Sequence, residues 1–577
     1  MGMVAFTRRY MLRHAGSYAF GTAALVLTSW LSVTIPVEVA GGIDTIVRGG
    51  DPALVQQAAL RTGAMGALVI LIRTVSRVAY FTPGRRVEAE VKRDLFAAIL
   101  RHQPSTLRRY TTGDLFSRLT TDVNMLRIWA GFGVLTVANV IVTLTLVGAQ
   151  LLRVSPRLAL WLILPVGAAF LIVQLLIRRL FVLIRKMQAQ AGAISEEVLQ
   201  TIQAMPTIHG FAAEPAFQQR FDDRNLAYEA TSVERAQLRA ALSPTLTLSA
   251  SLSLFLLLAI GGPLAASGEV TVGELVACAA LVNLLMAPLR QSSFLVSVLQ
   301  QAKAAMERID LLLEVPPDRS DLPDPRPVPT GPPSIRIRDL TWTHPGAHHS
   351  ALRGVDLDLP AGSTTGLFGA TGSGKSTLLR LLARLDTPPE GTITVDGVDL
   401  RALDLDRWRQ QLAMAPQRPF LFSESLEDNL TLGAPDRLQP ALALGALAPD
   451  VERMPEGTRT VVGEAGVRLS GGQRQRAALA RALVRPHTLA LLDDVLSAVD
   501  QTTEREILAQ LRRNNAAATR VIVAHRPSVL LQCDQVVVLE EGRVIDVGAP
   551  SELLEREGPF RSAWLAHDAL GAEPVAR

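Results

Sequence analysis

The chain has 577 residues, of which 48% are hydrophobic, and a formal net charge of +4. The apolar residues crowd into the first 315 positions, which excludes a purely soluble enzyme and calls for a membrane-embedded part. The basic pairs Arg85-Arg86, Lys92-Arg93, Arg108-Arg109 and Arg178-Arg179 stand beside apolar spans, as cytoplasmic flanks do, with no aromatic-interleaved patch for nucleic acid. The two cysteines, Cys278 and Cys533, support neither a disulfide framework nor a Cys-based metal site.

At the N-terminus, Thr7-Arg8-Arg9-Tyr10-Met11-Leu12-Arg13 precedes an apolar run and has the form of a twin-arginine export signal. No small-residue cleavage site follows and five more spans do, so the segment reads as a basic amphipathic stretch lying on the inner membrane face. Charge-free runs at 17–37, 128–152, 158–177 and 241–268 are long enough to cross about 30 Å of hydrocarbon. Two further spans are interrupted: 54–82 carries Arg61, Arg73 and Arg77, and 275–301 carries Arg290. The reading is six spans, with the polar, helically periodic stretches 83–127 and 178–240 extending as helices into the cytoplasm.

A proline-rich stretch from 315 to 333 ends the helical pattern and marks a domain boundary. Short strands and helices then alternate as in an α/β domain, and the last dozen residues, 566–577, read as an unstructured tail. The expected fold is a membrane α-helical bundle of six transmembrane helices with long cytoplasmic extensions (1–314), the linker, and an α/β P-loop ATPase domain (334–565).

Within that domain Gly369-Ala370-Thr371-Gly372-Ser373-Gly374-Lys375-Ser376-Thr377 fits the phosphate-cradling pattern G-x-x-x-x-G-K-[ST]. Its glycines let backbone N–H groups approach ATP phosphates, Lys375 reaches the outer phosphates and the Ser376 hydroxyl sits on Mg²⁺. Asp493 ends the apolar run Leu489-Ala490-Leu491-Leu492, where a carboxylate can hold Mg²⁺. Ser470-Gly471-Gly472 precedes a helix beginning near Gln473, whose N–H groups and positive end favour an anion.

The order of Lys375, Gln417, Leu469-Ser470-Gly471-Gly472-Gln473, Asp493, Asp500 and His525 resembles the nucleotide-binding domain of an ABC transporter, and six spans ahead of it resemble an ABC exporter half-transporter of the multidrug or lipid type. Thr112-Gly113-Asp114-Leu115-Phe116-Ser117 and Gly210-Phe211-Ala212-Ala213-Glu214 resemble that family's two intracellular loops. The resemblance implies an obligate dimer in the cytoplasmic membrane, in which Ser470–Gln473 of one chain meet the γ-phosphate of ATP on the other. It places Gln417 near Mg²⁺ and the attacking water, His525 at the γ-phosphate and Asp500 in the loop that follows. It also puts coupling helices near 112–117 and 212–217, docking beside Gln417, and gives Glu464 a place in the short loop before the signature.

Two positions depart from the family pattern. Asp494 stands where the family carries the glutamate that polarises water, and its carboxylate is retracted by about one bond, ~1.5 Å. A misplacement of about 1 Å can cost roughly a hundredfold in rate. That substitution resembles the degenerate subunit of heterodimeric exporters, so a non-identical second half-transporter is the expected partner. His344 stands where a tyrosine stacks on adenine, and Trp342, two residues earlier, is expected in the core. The alternatives are a homodimer with slow hydrolysis and a non-pumping ATP-gated membrane regulator. Spans rich in Leu, Val, Ala and Thr suit a hydrophobic or amphipathic substrate taken from membrane lipid.

Overall fold

The computed structural model describes residues 2–107, 109–314, 325–463, 466–497, 499–513 and 517–571. It divides into two compact units, one of residues 1–98 and 112–315, the other of residues 99–111 and 316–577.

The first unit is helical throughout. Its long helices are Ala15–Val47, Pro52–Arg101, Val134–Val154, Pro156–Gln203, Glu214–Ala240, Leu242–Ala266 and Val272–Leu313. Two of these starts have a clear local cause. Ser155 caps the helix at 156, where proline is pre-set for the first turn, and Thr271 with Glu274 forms a reciprocal capping box at 272. Among the described residues five helical segments are long and apolar enough to cross a membrane; the sixth expected span falls on the Val272–Leu313 helix, whose apolar part is Val272–Pro288. The expected cytoplasmic extensions are continuous with the spans: Pro156–Gln203 runs 48 residues and packs against Glu214–Ala240. Buried Glu197 is held there by Arg220 at 3.1 Å and Arg224 at 3.0 Å.

The N-terminal segment differs from the reading of it as a helix on the membrane surface. Phe6, Tyr10 and Met11 are buried within the unit, the Tyr10 hydroxyl donates to Asp94 at 2.8 Å, and Arg9 pairs with Asp94 at 3.0 Å. His14 adds a contact to Glu90 at 3.1 Å. Arg9 and Arg13 of the twin-arginine-like stretch thus have protein carboxylates for partners, and its apolar side packs on protein.

The second unit holds two sheets. The antiparallel one has the order β2-β1-β4-β5, from β1 (Ile335–Trp342), β2 (Leu352–Leu359), β4 (Ile393–Val395) and β5 (Val398–Asp399). The six-stranded one has the order β10-β9-β3-β8-β7-β6, from β3 (Thr364–Phe368), β6 (Leu412–Ala415), β7 (Leu489–Asp493), β8 (Thr519–Val523), β9 (Gln535–Glu540) and β10 (Arg543–Gly548). Strands β9, β3, β8, β7 and β6 are mutually parallel and only β10 is antiparallel. β7 and β8 are buried at every residue, as central parallel strands covered on both faces are, and are apolar except at Asp493, Thr519 and Arg520, whereas β1 alternates.

Three boundaries differ from the sequence reading. Residues 315–324 of the proline-rich stretch lie outside the described residues, but from Arg326 the chain already belongs to this unit: Arg326 N–H donates to the Ala402 carbonyl at 2.8 Å and Val328 is buried in its core. The last helix, Pro559–Gly571, continues through positions 566–571 that had been assigned to an unstructured tail. The third concerns the intracellular loop. The stretch that clusters with the ATPase-like unit is 99–111, carrying the short helix Pro104–Leu107, while Thr112–Ser117 belongs to the helical unit. Gln103 is buried and its amide donates to the Thr387 hydroxyl. The segment that clusters with the second unit therefore lies about two helical turns toward the N-terminus from the Thr-Gly-Asp stretch, where the sequence places the coupling helix. Losing one such hydrogen bond is worth about 1 kcal/mol. Gln103→Ala is accordingly expected to lower substrate-stimulated ATP turnover about fivefold while basal turnover moves much less, measured side by side in lipid vesicles.

Candidate functional site

In the parallel sheet the strands β3, β8, β7 and β6 lie next to one another, and every expected chemical group on them leaves at the carboxyl end. The phosphate-cradling loop follows β3, His525 follows β8, Asp493 ends β7 and Gln417 follows β6. Three strand spacings separate the outer two, about 14 Å. Crevices at the carboxyl ends of parallel strands are where such sheets bind ligands, because loops converge there and strand geometry fixes their spacing.

The loop is built by its glycines. Gly369 has φ 154° and a Cβ there would collide with the Leu539 carbonyl; Gly374 has φ 102° and a Cβ would meet the Ala351 carbonyl at 2.6 Å. Only glycine permits both the backbone and the close approach. Gly374 then opens the helix Lys375–Leu382, whose first turn presents Lys375, Ser376 and Thr377. The Lys375 ammonium is buried and donates to the Gly369 carbonyl at 2.8 Å, the Ala370 carbonyl at 2.8 Å and the Ser373 hydroxyl at 3.2 Å. Burial pulls its pKa down, while Asp493 and Asp494 push it back up.

Asp493 is buried, and one of its carboxylate oxygens, Oδ1, has no hydrogen-bond partner; the carboxylate accepts from Ser376. Burial raises its pKa above the usual carboxylate range, and the neighbouring Asp494 adds to that. An orphaned buried carboxylate oxygen beside a serine hydroxyl is a hard-oxygen pair of the kind a divalent cation takes. Asp494 adopts φ 50°, a left-handed conformation that aspartate tolerates better than most residues, fixed by its N–H donating to the Val523 carbonyl at 3.1 Å. Its Oδ2 lies 3.5 Å from Gln417 Nε2. His525 is exposed at the end of β8, near enough for its charge to lower the Asp493 pKa.

The other expected residues have clear places. Ser470 caps the helix Gly471–Leu483: its hydroxyl accepts from Gln473 N–H at 3.2 Å, and the Gln473 side chain accepts from Ser470 N–H at 2.9 Å. Asp500 caps the helix Gln501–Arg513, accepting from the Thr502 and Thr503 N–H groups at 3.1 and 3.0 Å, which hold its pKa below the usual range. His344 is half-buried with Nε2 3.1 Å from the Thr377 hydroxyl, so its imidazole is tied to the phosphate loop as well as being available for a base. Trp342 packs partly buried against the core. Thr371 and Gly372 form the exposed crest of the loop. Glu464 lies outside the described residues.

Sequence reasoning missed the groups that brace this site. Arg526, next to His525, pairs with buried Glu504 at 2.8 Å and donates to the Val499 and Ser497 carbonyls at 3.2 and 3.3 Å. Ser497 in turn accepts from Gln475 at 3.0 Å and donates to the Asp494 carbonyl at 2.9 Å. The loop after Asp494 is thereby clamped from two helices. On the signature side, Asp450 accepts from Gln473 at 2.9 Å and pairs with Arg476 at 2.8 Å. An arginine after a histidine gave no hint of this in one dimension, because its partners are 22 to 29 residues away.

These features define an ATP-binding α/β domain joined to a helical membrane unit. Residues 18–289 match the ABC transporter transmembrane region and residues 352–497 the ABC transporter family. The chain is 30% identical over 96% of its length to a multidrug resistance-like ATP-binding protein, MdlA, of Escherichia coli, covering 95% of that protein. It is 28% identical to the ATP-dependent lipid A-core flippase of Thiobacillus denitrificans, with 96% of each covered. A bacterial Atm1-family ABC exporter solved with ATP bound superposes with a TM-score of 0.81 at 24% identity, over 99% of this chain and all of that one. The chain belongs to the ABC transporter family, as an exporter half-transporter that is a multi-pass membrane protein; ABC exporters work as dimers.

Two outcomes follow from this geometry. Asp493 holds its proton to a higher pH than an exposed aspartate, and only the ionised form can bind a cation. Nucleotide binding in the presence of Mg²⁺ is therefore expected to weaken as pH falls through a window above the ordinary value of 3.8, and Asp493→Asn to abolish both the Mg²⁺ requirement and that pH dependence in a fluorescent-nucleotide titration. Arg526→Gln frees the loop after Asp494 and leaves Glu504 unpaired. It is expected to lower ATP turnover about tenfold with nucleotide affinity little changed, read as a drop in kcat with KM held.

Proposed function

We propose that this chain is one half of a dimeric exporter that uses ATP and Mg²⁺ to move an amphipathic or hydrophobic substrate across the cytoplasmic membrane, with a non-identical half-transporter as its partner and weak hydrolysis at its own Walker site. The nucleotide domain lies on the cytoplasmic side. The observation that carries this reading is Asp494, buried directly after Asp493 in the place of a longer acid.

In this reading the Lys375 ammonium exchanges its loop carbonyls for phosphate oxygens, and Thr371 through Thr377 contribute backbone N–H groups around them. Ser376, Asp493 and Gln417 would hold Mg²⁺, which would supply neutralisation of the phosphate charge when bound. Asp494 and Gln417 orient the attacking water, His525 contacts the γ-phosphate, and His344 faces adenine. Ser470, Gly471, Gly472 and Gln473 complete the site of the other subunit, whose bound nucleotide draws the two domains together. The names of the relatives, a multidrug resistance-like protein and a lipid A-core flippase, support an apolar cargo.

One observation favours a second reading, a homodimer in which aspartate does the work: the Asp494 carboxylate still meets Gln417 at 3.5 Å. ATP turnover in lipid separates the two. The asymmetric exporter predicts little turnover by this chain alone, restoration by a second half-transporter bearing glutamate at the matching position, and a gain of up to about a hundredfold in Asp494→Glu. Brisk turnover by the lone chain with no gain from Asp494→Glu would sink the asymmetric reading and leave the homodimer.

A further inference from the structure

The helical unit contains a cavity of about 410 Å³ whose wall carries Arg73 and Arg77 together with Ser29, Ser32, Asn139 and Gln291. The two arginines are one turn apart on the helix Pro52–Arg101, so they present to the same side. Both belong to a stretch otherwise apolar enough to span a membrane. Arg73 reaches across to Ser32 at 3.5 Å, a residue inside the charge-free run 17–37. Among the described residues neither arginine has a carboxylate partner, and no Asp or Glu lines the cavity.

The contrast with the other arginines of this unit is informative. Arg61 on the same helix meets Glu38 at 3.9 Å, Arg127 meets Glu88 at 3.5 Å, Arg118 meets Asp114 at 2.9 Å and Arg308 meets Asp122 at 2.8 Å. Those guanidiniums have a carboxylate within reach, whereas Arg73 and Arg77 line a cavity whose wall carries none. Two uncompensated cations within a span are costly unless a ligand supplies the anion or water in a cavity solvates them. Next to this cavity is a second, apolar one of about 460 Å³, lined by Leu144, Ile163, Phe170, Leu285 and Val296; Pro288 lines both.

We propose that Arg73 and Arg77 form the head-group subsite for an anionic amphiphile, with the carboxylate, sulfonate or phosphate of the cargo at the guanidinium pair and its apolar body toward the second cavity. The pair can bind two oxygens of one acidic group, and the hydroxyls and amides of Ser29, Ser32, Asn139 and Gln291 can take the remaining ones. This narrows the exporter reading above to a charge class and rests on that reading for the statement that the ligand is cargo. The anion could be a small organic acid or the head group of an anionic phospholipid, since the recognising chemistry is the same.

The test is equilibrium binding to the assembled transporter in phosphatidylcholine nanodiscs, using pyrenebutyrate, pyrenebutanol and pyrenebutyl-trimethylammonium, which share one apolar body. The carboxylate is expected to bind about tenfold more tightly than the alcohol, and Arg73→Gln/Arg77→Gln to reduce that preference to about twofold or less. The Arg73→Lys/Arg77→Lys variant should keep a preference for the carboxylate, and Arg61→Gln, on the same helix outside the cavity, should leave it unchanged. Equal binding of all three probes by the wild type, or a carboxylate preference that survives the double glutamine variant, overturns the subsite. Competition by phosphatidylglycerol in the disc assigns the site to a lipid head group, and its absence assigns it to a small acid. ATP-driven uptake of the same probes into inside-out vesicles is scored separately. Charge-selective binding without uptake would refute the exporter reading while keeping the subsite, and uptake without charge selection would do the reverse.

Discussion

The nucleotide domain depends on one constraint: a buried ammonium and two buried carboxylates must occupy neighbouring strand ends of a parallel sheet. Lys375 leaves β3, Asp493 and Asp494 leave β7, and β8 lies between them. Burial alone pulls the lysine toward neutrality and pushes Asp493 toward protonation, and each opposes that tendency in the other. The arrangement therefore holds its charges only because strand order brings opposite signs together. It remains incompletely satisfied, as the unpartnered Asp493 oxygen shows, and a buried polar atom left in that state is a place where a ligand is worth the most.

That constraint explains the weight given to bracing. A carboxylate on a residue held at φ 50° cannot adjust freely, so the loop behind it has to be rigid. Arg526 and Glu504 from one side and Gln475 from the other fix Ser497, and Ser497 fixes the Asp494 carbonyl. The Asp494 carboxylate meets Gln417 at 3.5 Å, at the long end of hydrogen bonding.

The helical unit follows a different rule. Several of its charges are matched by partners on neighbouring helices, as at Glu197 with Arg220 and Arg224, or Asp94 with Arg9 and Tyr10. Ion pairs of this type add little net stability when exposed, but they fix which helices lie together by penalising any packing that leaves one partner buried and alone. Arg73 and Arg77 instead line a cavity that carries no carboxylate.

Much of this was legible in one dimension because it is local or periodic. Charge-free runs long enough for a bilayer, the glycine spacing of the phosphate loop, the apolar run ending in Asp493 and the Ser470 cap each depend on residues within a few positions of one another. The sequence by itself determined that a helical membrane unit is followed by an α/β nucleotide-binding domain. Tertiary structure alone decided the rest, since it concerns partners far apart along the chain: Gln103 with Thr387, Arg526 with Glu504, His344 with Thr377, and the N-terminal arginines with Asp94 and Glu90. Periodicity reports which face of an element is apolar, whereas a hydrogen bond between side chains depends on where folding puts two such faces, and that distance is set by the packing of every element between them.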